Sequence, residues 1–426
     1  MDEGWNLPTD AFVEVLLRLP PSSRRRFRLV CRHWRDVVDT RTPEMQSRAV
    51  LLVSTVHGGD TASAYAVESL PEACSTELWT ASAVPRPPGT RTPWQSRCYY
   101  FDTVVVGTCN GLLCVCDNAK GGGAISLINP ATGETLAVPP VPHAVQWALR
   151  GEHMAISRWD EAYSFAYHPT TGRYKVVHVP CYFDKTGQFA AVQVFTLGEA
   201  SWRDVPAPAG GATCRRDAGL VSVDGATYWV TKDSARLVAF DLDDGEGAAS
   251  TTVALPVEAG RSLHLTAVRG RPAVVDCRDA GNQAVIEVWV LGDGGDRQGW
   301  RRLYRVQVHG VGQRLARPHF AHGKYVLTNQ WGAGGNTVMY GHKLQSDPRK
   351  AQCSEVRISE RRTGPAVTST KGYRVRTFAY VKTTEPLREY SLDGRLKWTC
   401  EGEGPKGDIE EPLALIFQDS NLWSTV

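Results

Sequence analysis

The chain reads as a mainly β protein with a small helical unit at its N-terminus. Three observations predict this. Apolar residues recur at helical spacing only through Val38. From residue 46 to residue 400 the sequence becomes short alternating apolar runs cut by Gly, Pro, Asn and Asp, the pattern of half-buried strands and tight turns. These runs fall into units of roughly 40–60 residues with a similar internal order, which predicts a β-propeller-like domain of about six blades. Seven blades, or a pair of packed sheets, are the other arrangements such a pattern allows.

The helical part comes first. Phe12, Val15, Leu16 and Leu19 stand at i, i+3, i+4 and i+7, and Phe27, Val30, Cys31 and Trp34 repeat that spacing. Each set predicts an apolar stripe on a helix, with Pro20-Pro21 between them. Roughly 40 residues of short helices bury too little surface to be a comfortable independent domain. The stripes are therefore candidate docking surfaces.

Three pieces of this segment carry a resemblance. They are Leu7-Pro8-Thr9-Asp10, Leu16 to Leu19-Pro20, and Arg28-Leu29-Val30-Cys31-Arg32-His33-Trp34. In that order they resemble the F-box, the adaptor-binding motif of cullin-type ubiquitin ligases. The resemblance implies a three-helix unit over residues 1–45. It implies docking on a Skp-family adaptor, and through it a cullin, by Leu7, Pro8, Phe12, Val15, Leu16, Leu19, Pro20, Phe27, Val30, Cys31 and Trp34. Arg24 and Arg25 depart from the family pattern, which carries apolar residues there. By composition the Arg24–Arg28 stretch reads as a solvated helix face rather than a nucleic-acid patch.

The β units follow. The first pairs TVVVGTCNGLLCVCD with AISLINPATGETLAVP, and the second YSFAYHPTTGRYKVVHV with AAVQVFTLGEASWRDVP. Three more follow, through residue 344. Asn129–Gly133 and His168–Gly172 read as equivalent turns of adjacent units. AVLLVST near residue 49 and RTFAYVKT near residue 376 are the candidates for closing the ring. Residues 401–426 are expected to form a tail or a closing segment. Cys109-Asn110-Gly111-Leu112-Leu113-Cys114, Asn129-Pro130, Tyr174-Lys175-Val176-Val177, Gly225 with Tyr228-Trp229, and Val288-Trp289-Val290 occur in an order that resembles the F-box-associated domain of plant F-box families. That resemblance covers roughly residues 100–305 and implies a substrate-binding propeller.

Composition excludes several classes. Charged residues make 22% of the chain and the net charge is +3, so nothing argues for a nucleic-acid partner. No apolar run approaches the length of a membrane span, and the acidic, polar start is wrong for a secretory signal. The 11 Cys include no C-x-x-C pair. They read as reduced thiols of a cytoplasmic or nuclear protein, with Cys114 and Cys116 on one face of a strand.

No constellation for catalysis, metal or cofactor emerges. His319 and His322 are spaced for a helix but lie in strand-and-turn sequence. Gly402–Gly407 formally fits G-x-G-x-x-G without the strand and helix that a dinucleotide site needs. Trp202, Trp229, Trp289 and Trp300 are expected to pack between blades. Trp147, Trp159 and Trp331 fall in loop-like sequence and are the candidate contacts for a protein substrate. The expected function is therefore non-catalytic recruitment of a substrate to a Skp–cullin–F-box ligase. The alternative is a glycan-reading or scaffold propeller outside any ligase.

Overall fold

A computed structural model describes residues 8–19, 21–27, 30–41, 50–57, 61–69, 74–82, 103–142, 158–169, 171–180, 188–208, 212–242, 250–258, 262–280, 283–292, 299–319, 325–331, 336–344, 353–359, 366–371, 374–391 and 396–398. Three helices come first: α1 (Thr9–Leu17), α2 (Pro21–Phe27) and α3 (Arg32–Arg41). No α-helix is described after them.

The strands build six blades. β1 (Val50–His57), β2 (Thr61–Ser69) and β3 (Cys74–Ser82) belong to the first blade, and β4 (Thr103–Cys109), β5 (Leu112–Asp117), β6 (Ala124–Ile128) and β7 (Glu134–Ala137) to the second. The third holds β8 (Tyr163–His168), β9 (Arg173–His178), β10 (Ala191–Thr196) and β11 (Arg203–Pro206). The fourth holds β12 (Val221–Val223), β13 (Ala226–Val230), β14 (Arg236–Asp241) and β15 (Ser250–Ala254). β16 (Ser262–Val268), β17 (Arg271–Ala280), β18 (Gln283–Leu291) and β19 (Trp300–His309) make the fifth. The sixth has β20 (Gln313–Arg314), β21 (Tyr325–Trp331) and β22 (Asn336–Lys343). The next strand, β23 (Ser354–Ser359), leaves that blade and pairs parallel with β19 of the fifth. β24 (Ala366–Lys371) then completes the sixth.

Ring closure follows the sequence expectation. β25 (Arg374–Tyr380) pairs antiparallel with β1, Leu52 opposite Phe378 and Ser54 opposite Arg376. The two ends of the propeller sequence thereby share one blade. A last strand, β26 (Leu396–Trp398), adds to β7 on the second blade.

The core repeats with the blades. Six apolar clusters each bridge one pair of neighbours. Leu52 and Phe378 meet Val105 and Leu113 between the first and second blades. Cys114 and Leu127 meet Phe165 and Tyr174 between the second and third. Val177 and Val192 meet Trp229 and Val238; Val230 and Leu237 meet Leu263 and Val274. Tyr304 and Val306 meet Leu315 and Val326; Leu327 and Met339 meet Leu51 and Val375, which completes the circle. Each sheet is thus apolar on both faces, so the strands run as Val- and Leu-rich blocks rather than strict alternations.

Turn chemistry sets where the hairpins fold. Asn110-Gly111, Asp224-Gly225 and Arg269-Gly270 all have positive φ at both positions, the two-residue turn that matches strand twist. One sequence equivalence needs correction. His168–Gly172 joins the first and second strands of its blade, whereas Asn129–Gly133 joins the third and fourth of its own. Both turns suit Pro and a positive-φ Gly because the local geometry is similar, although the topological positions differ.

Two polar devices fasten the ring. On β25 the buried Arg376 guanidinium donates from Nη1 to the Val105 carbonyl at 2.9 Å and pairs through Nη2 with the Asp160 carboxylate. Asn118 holds the other oxygen of Asp160 at 2.9 Å. One cation therefore ties the closing strand to the second and third blades. After β25, residues 381–391 form a strap across the second blade. Asn129 Nδ2 donates to the Glu385 carbonyl at 2.8 Å, and the Leu387 amide donates to the Glu134 carboxylate at 2.7 Å. Leu387 is fully buried in the adjoining core. Gly111 has no side chain because one would run into the Val381 carbonyl and, at 2.6 Å, Thr383 Cγ2.

Two outcomes follow for stability. Arg376→Leu leaves the Asp160 carboxylate buried without its cation and is expected to cost about 3–5 kcal/mol, read from urea denaturation of the full chain. The second concerns pH. Burial lowers His178 to about 4, against a smaller opposing contribution from its hydrogen bond with Gln193, and burial lowers His319 to about 3. The unfolded chain takes up these protons near pH 6.5 and the folded chain does not. Stability is therefore full above pH 6.5 and declines as pH falls toward 4, on the order of 3 kcal/mol for a fully buried site such as His178. Denaturation midpoints at pH 7, 6, 5 and 4.5 check the slope, which His178→Asn should flatten.

Candidate functional site: two docking surfaces

The N-terminal unit packs around one aromatic cluster. Phe12 and Trp34 rings lie 4.6 Å apart between centroids, and Phe27 meets Trp34 edge-on at 5.2 Å. Phe12, Val13, Leu16, Val37 and Val38 are buried, with Leu19, Phe27 and Trp34 packed against them. The predicted stripe on α1 therefore divides. Phe12 and Leu16 face inward with Val13, while Val15 is 51% exposed and Leu17 40% exposed. At about 100° per residue, Val15 and Leu17 stand on opposite flanks of the buried stripe.

The second predicted stripe does not lie on one helix. Phe27 ends α2, α3 begins at Arg32, and Val30 and Cys31 precede it. The spacing imitated a helix because two helices meet at a sharp turn. Cys31 has a local task there: its Sγ accepts the Trp34 amide at 3.5 Å, as a capping oxygen does at a helix start. Val30 is 58% exposed, and Pro8 and Cys31 are exposed as well. Leu7 and Pro20 lie outside the described residues.

Arg24 corrects the solvated-face reading. It is 6% exposed, and its Nη1 donates to the Leu17 carbonyl at 3.5 Å, at the C-terminal end of α1. A cation there satisfies an end carbonyl and complements the helix dipole. Arg26, two residues on, reaches the propeller. A side chain at Gly172 (φ +69°) would run into Arg26 Cγ and, at 2.6 Å, its Cδ. The helical unit thus rests on the turn between β8 and β9.

That contact orients the molecule. The innermost strands β25, β4, β8, β12 and β16 lie side by side around the axis. They run in one direction, so the β4–β5, β8–β9, β12–β13 and β16–β17 turns share one face. Arg26 and the strap meet that face, at Gly172 and Gly111. The connections that enter the innermost strands, and those joining second to third strands, belong to the opposite, open face.

The substrate candidates separate on this map. Trp331 ends β21 at the open face and is 53% exposed. Trp159 begins a 3-10 helix on the same face but is 4% exposed, packed with Tyr163 and Phe165 in the core. Its buried ring corrects the loop-like reading; the turn tucks it inward beside Gly123. Trp147 lies outside the described residues. Three of the four tryptophans expected between blades pack there: Trp229 is fully buried, Trp202 donates to the Pro139 carbonyl of the preceding blade at 2.8 Å, and Trp300 donates to the Ala254 carbonyl of the preceding blade at 2.8 Å. Trp289 instead lies under Arg302, which stands opposite it on the next strand of the same blade.

Other motif residues prove to be fasteners between blades. Lys175 is fully buried, its ammonium on the Leu242 carbonyl of the next blade. Cys114 and Cys116 are buried together, as expected of one strand face, and burial pushes both thiols up. His319 shares a hydrogen bond with the Tyr304 hydroxyl; His322 and Gly402–Gly407 lie outside the described residues. Among the described residues, no group of three or more His, Cys, Asp or Glu is placed to hold a metal ion, and no helix is long and apolar enough to cross a membrane.

Known proteins match both the helical unit and the propeller. Residues 5–44 match the family described as F-box domain, and residues 89–314 the family described as F-box associated beta propeller domain. An F-box/kelch-repeat protein of Arabidopsis thaliana is 26% identical over 321 residues, covering 71% of this chain and 79% of its own length. An F-box protein of the same plant is 25% identical over 356 residues, covering 74% and 76%. Among solved structures, a putative 6-phosphogluconolactonase from Bacteroides uniformis aligns with 76% of this chain and 99% of its own at 10% identity and a TM-score of 0.35. The propeller match alone spans more than half of the 426 residues. The chain belongs to the F-box-associated β-propeller family and carries an F-box domain ahead of that propeller.

Proposed function

We propose that this protein is the substrate-recognition subunit of a Skp–cullin–F-box ubiquitin ligase, working in the cytoplasm or nucleus. The observation that carries the reading is the F-box with exposed Val15 and Val30, seated by Arg26 on the closed face of a propeller whose other face is open. The adaptor docks on Pro8, Val15, Val30 and Cys31. Phe12, Leu16, Leu19, Phe27 and Trp34 act one layer deeper, by holding the three helices in shape. Arg24 is no obstacle to docking, because its charge is spent on the end of α1. The protein substrate, Trp331 among its contacts, binds the open face. The chain contributes proximity between substrate lysines and the ubiquitin-loaded enzyme rather than bond chemistry of its own.

The test is a pull-down with a purified Skp-family adaptor. Val15→Asp with Val30→Asp is expected to weaken binding at least about 100-fold, since two apolar contacts of roughly 1.5–3 kcal/mol each are replaced by desolvated charge. Thermal stability should stay within a few degrees of wild type, because both side chains are exposed. Leu16→Asp is a poor probe: it unfolds the helices and removes binding for an uninformative reason. Unchanged adaptor binding by the double variant defeats the docking surface named here. Absence of binding by the wild-type chain favours a scaffold or glycan-reading propeller.

A further inference from the structure

Arginines gather where the chain enters the innermost strands on the open face. Arg158 and Glu161 stand at the start of the third blade, Arg215, Arg216 and Asp217 at the start of the fourth, and Ser262 opens β16 of the fifth. Arg317, just after β20 of the sixth, donates to the Ser262 hydroxyl at 3.1 Å. Glu161 is 8% exposed and is shared by two cations. Arg158 pairs with one of its oxygens, and Arg216 Nε lies 3.5 Å from the other. Arg215 is fully engaged, by both oxygens of Asp217 at 2.9 and 3.0 Å and by Ser234 at 2.8 Å. Burial raises the Asp217 carboxyl, but Arg215, its own amide and the Arg317 charge outweigh burial and hold it below its ordinary value. Arg317 therefore belongs to the same arc.

The charges on this arc do not balance. Glu258, exposed ahead of β16, is the third carboxylate of these entry connections after Glu161 and Asp217; Asp160 below them is taken by Arg376. Four arginines meet those three acids. An isolated ion pair attracts either sign, whereas this group carries surplus positive charge. Arg317 forms no ion pair among the described residues. Arg158 and Arg317 are exposed and Arg216 is partly so, which leaves guanidinium N–H groups open to solvent.

The surplus separates partner classes. Guanidinium forks match carboxylates, two N–H groups to two oxygens. A cationic partner is repelled by the excess charge. A nucleic acid needs a track of several cations along its backbone, and this arc is confined to the mouth of the ring in a chain of net charge +3. We propose that an acidic stretch of the substrate, rich in Asp and Glu, lies across this arc with its carboxylates on Arg158, Arg216 and Arg317. The proposal rests on the substrate-receptor reading above and names the chemistry that the open face selects.

Arg317→Gln is the clean variant, because it removes an exposed cation whose described bond is to an exposed hydroxyl. Binding of the full chain to fluorescein-labelled short peptides is read by anisotropy at low and at physiological salt. Peptides with a central run of Asp and Glu are expected to bind about tenfold tighter than their Asn and Gln counterparts or a Lys run. The gap narrows as salt rises, since exposed charges are screened. Arg317→Gln should cut the acidic preference about threefold or more, and Arg317→Gln with Arg158→Gln should abolish it, at a melting temperature within a few degrees of wild type. Arg317→Lys keeps the charge and should keep the preference. Arg173→Gln removes the same charge from the closed face, where Arg173 pairs with Glu199, and should change nothing. Equal binding of acidic and amide peptides, a preference untouched by Arg317→Gln, or the same loss in Arg173→Gln overturns the proposal. So does binding confined to phosphoserine peptides, or tighter binding of a single-stranded oligonucleotide of equal charge. Adaptor pull-down in parallel separates the two readings. A missing acidic preference with intact adaptor binding removes only the arginine arc. An acidic preference without adaptor binding removes only the ligase.

Discussion

A propeller stands or falls on closing its ring, and here closure depends on a strand delivered from the far end of the chain. β25 supplies the inner position of the blade that β1 begins. Backbone pairing sets the register, but antiparallel ladders tolerate little error when both faces are buried, since a one-residue slip reverses every side chain. Arg376 makes the correct register distinctive. Only there does its guanidinium reach both the Val105 carbonyl and the Asp160 carboxylate. Burying that pair is costly on its own terms, and its value lies in what a misregistered strand leaves unpaired. Without closure the clusters on either side of the first blade, around Leu52 and around Leu51, each lose a wall.

The strap extends the same logic past the closing strand. Asn110-Gly111 and Asn129 stood among the family-like motifs without an evident task, and Glu134 drew no notice in the sequence. In the folded chain they are the places where the strap is gripped: Gly111 lets the backbone pass, Asn129 binds the Glu385 carbonyl, and Glu134 takes the Leu387 amide. Lys175 fastens the third blade to the fourth in a comparable way. These residues are spaced by turns and blades rather than by helical or strand period. Their partners lie more than 60 residues away, and some more than 250. The order in which they occur is a sequence property; the reason for it is a tertiary one.

The F-box and the propeller meet through a small contact with a large geometric consequence. Arg26 on the Gly172 turn puts the helices on the face already taken up by the strap. The opposite face is left to the connections that vary most in length. A receptor benefits from that division. One end presents a compact apolar surface, and the other presents loops that can change without touching the blade cores.

Much of this was legible in the chain. Helical spacing to Val38, Gly- and Pro-punctuated apolar runs, and the matching ends near residues 49 and 376 pointed to a small helical unit and a ring of about six blades, because periodicity reports local backbone geometry directly; the strand pairing decided six blades over seven or a pair of packed sheets. Which side of a helix meets a partner was another matter. Phe12, Val15, Leu16 and Leu19 share one spacing, yet only Val15 is strongly exposed, since the choice depends on where Trp34 and Val38 arrive from α3. Phe27 to Trp34 kept helical spacing across a break between two helices. Trp159 and Trp331 looked alike in sequence and ended on opposite sides of the surface. Arg24 looked solvated and became a buried cap. Sequence pattern determined the elements and their order. Three-dimensional packing alone decided exposure, because whether a side chain meets water depends on elements far away along the chain.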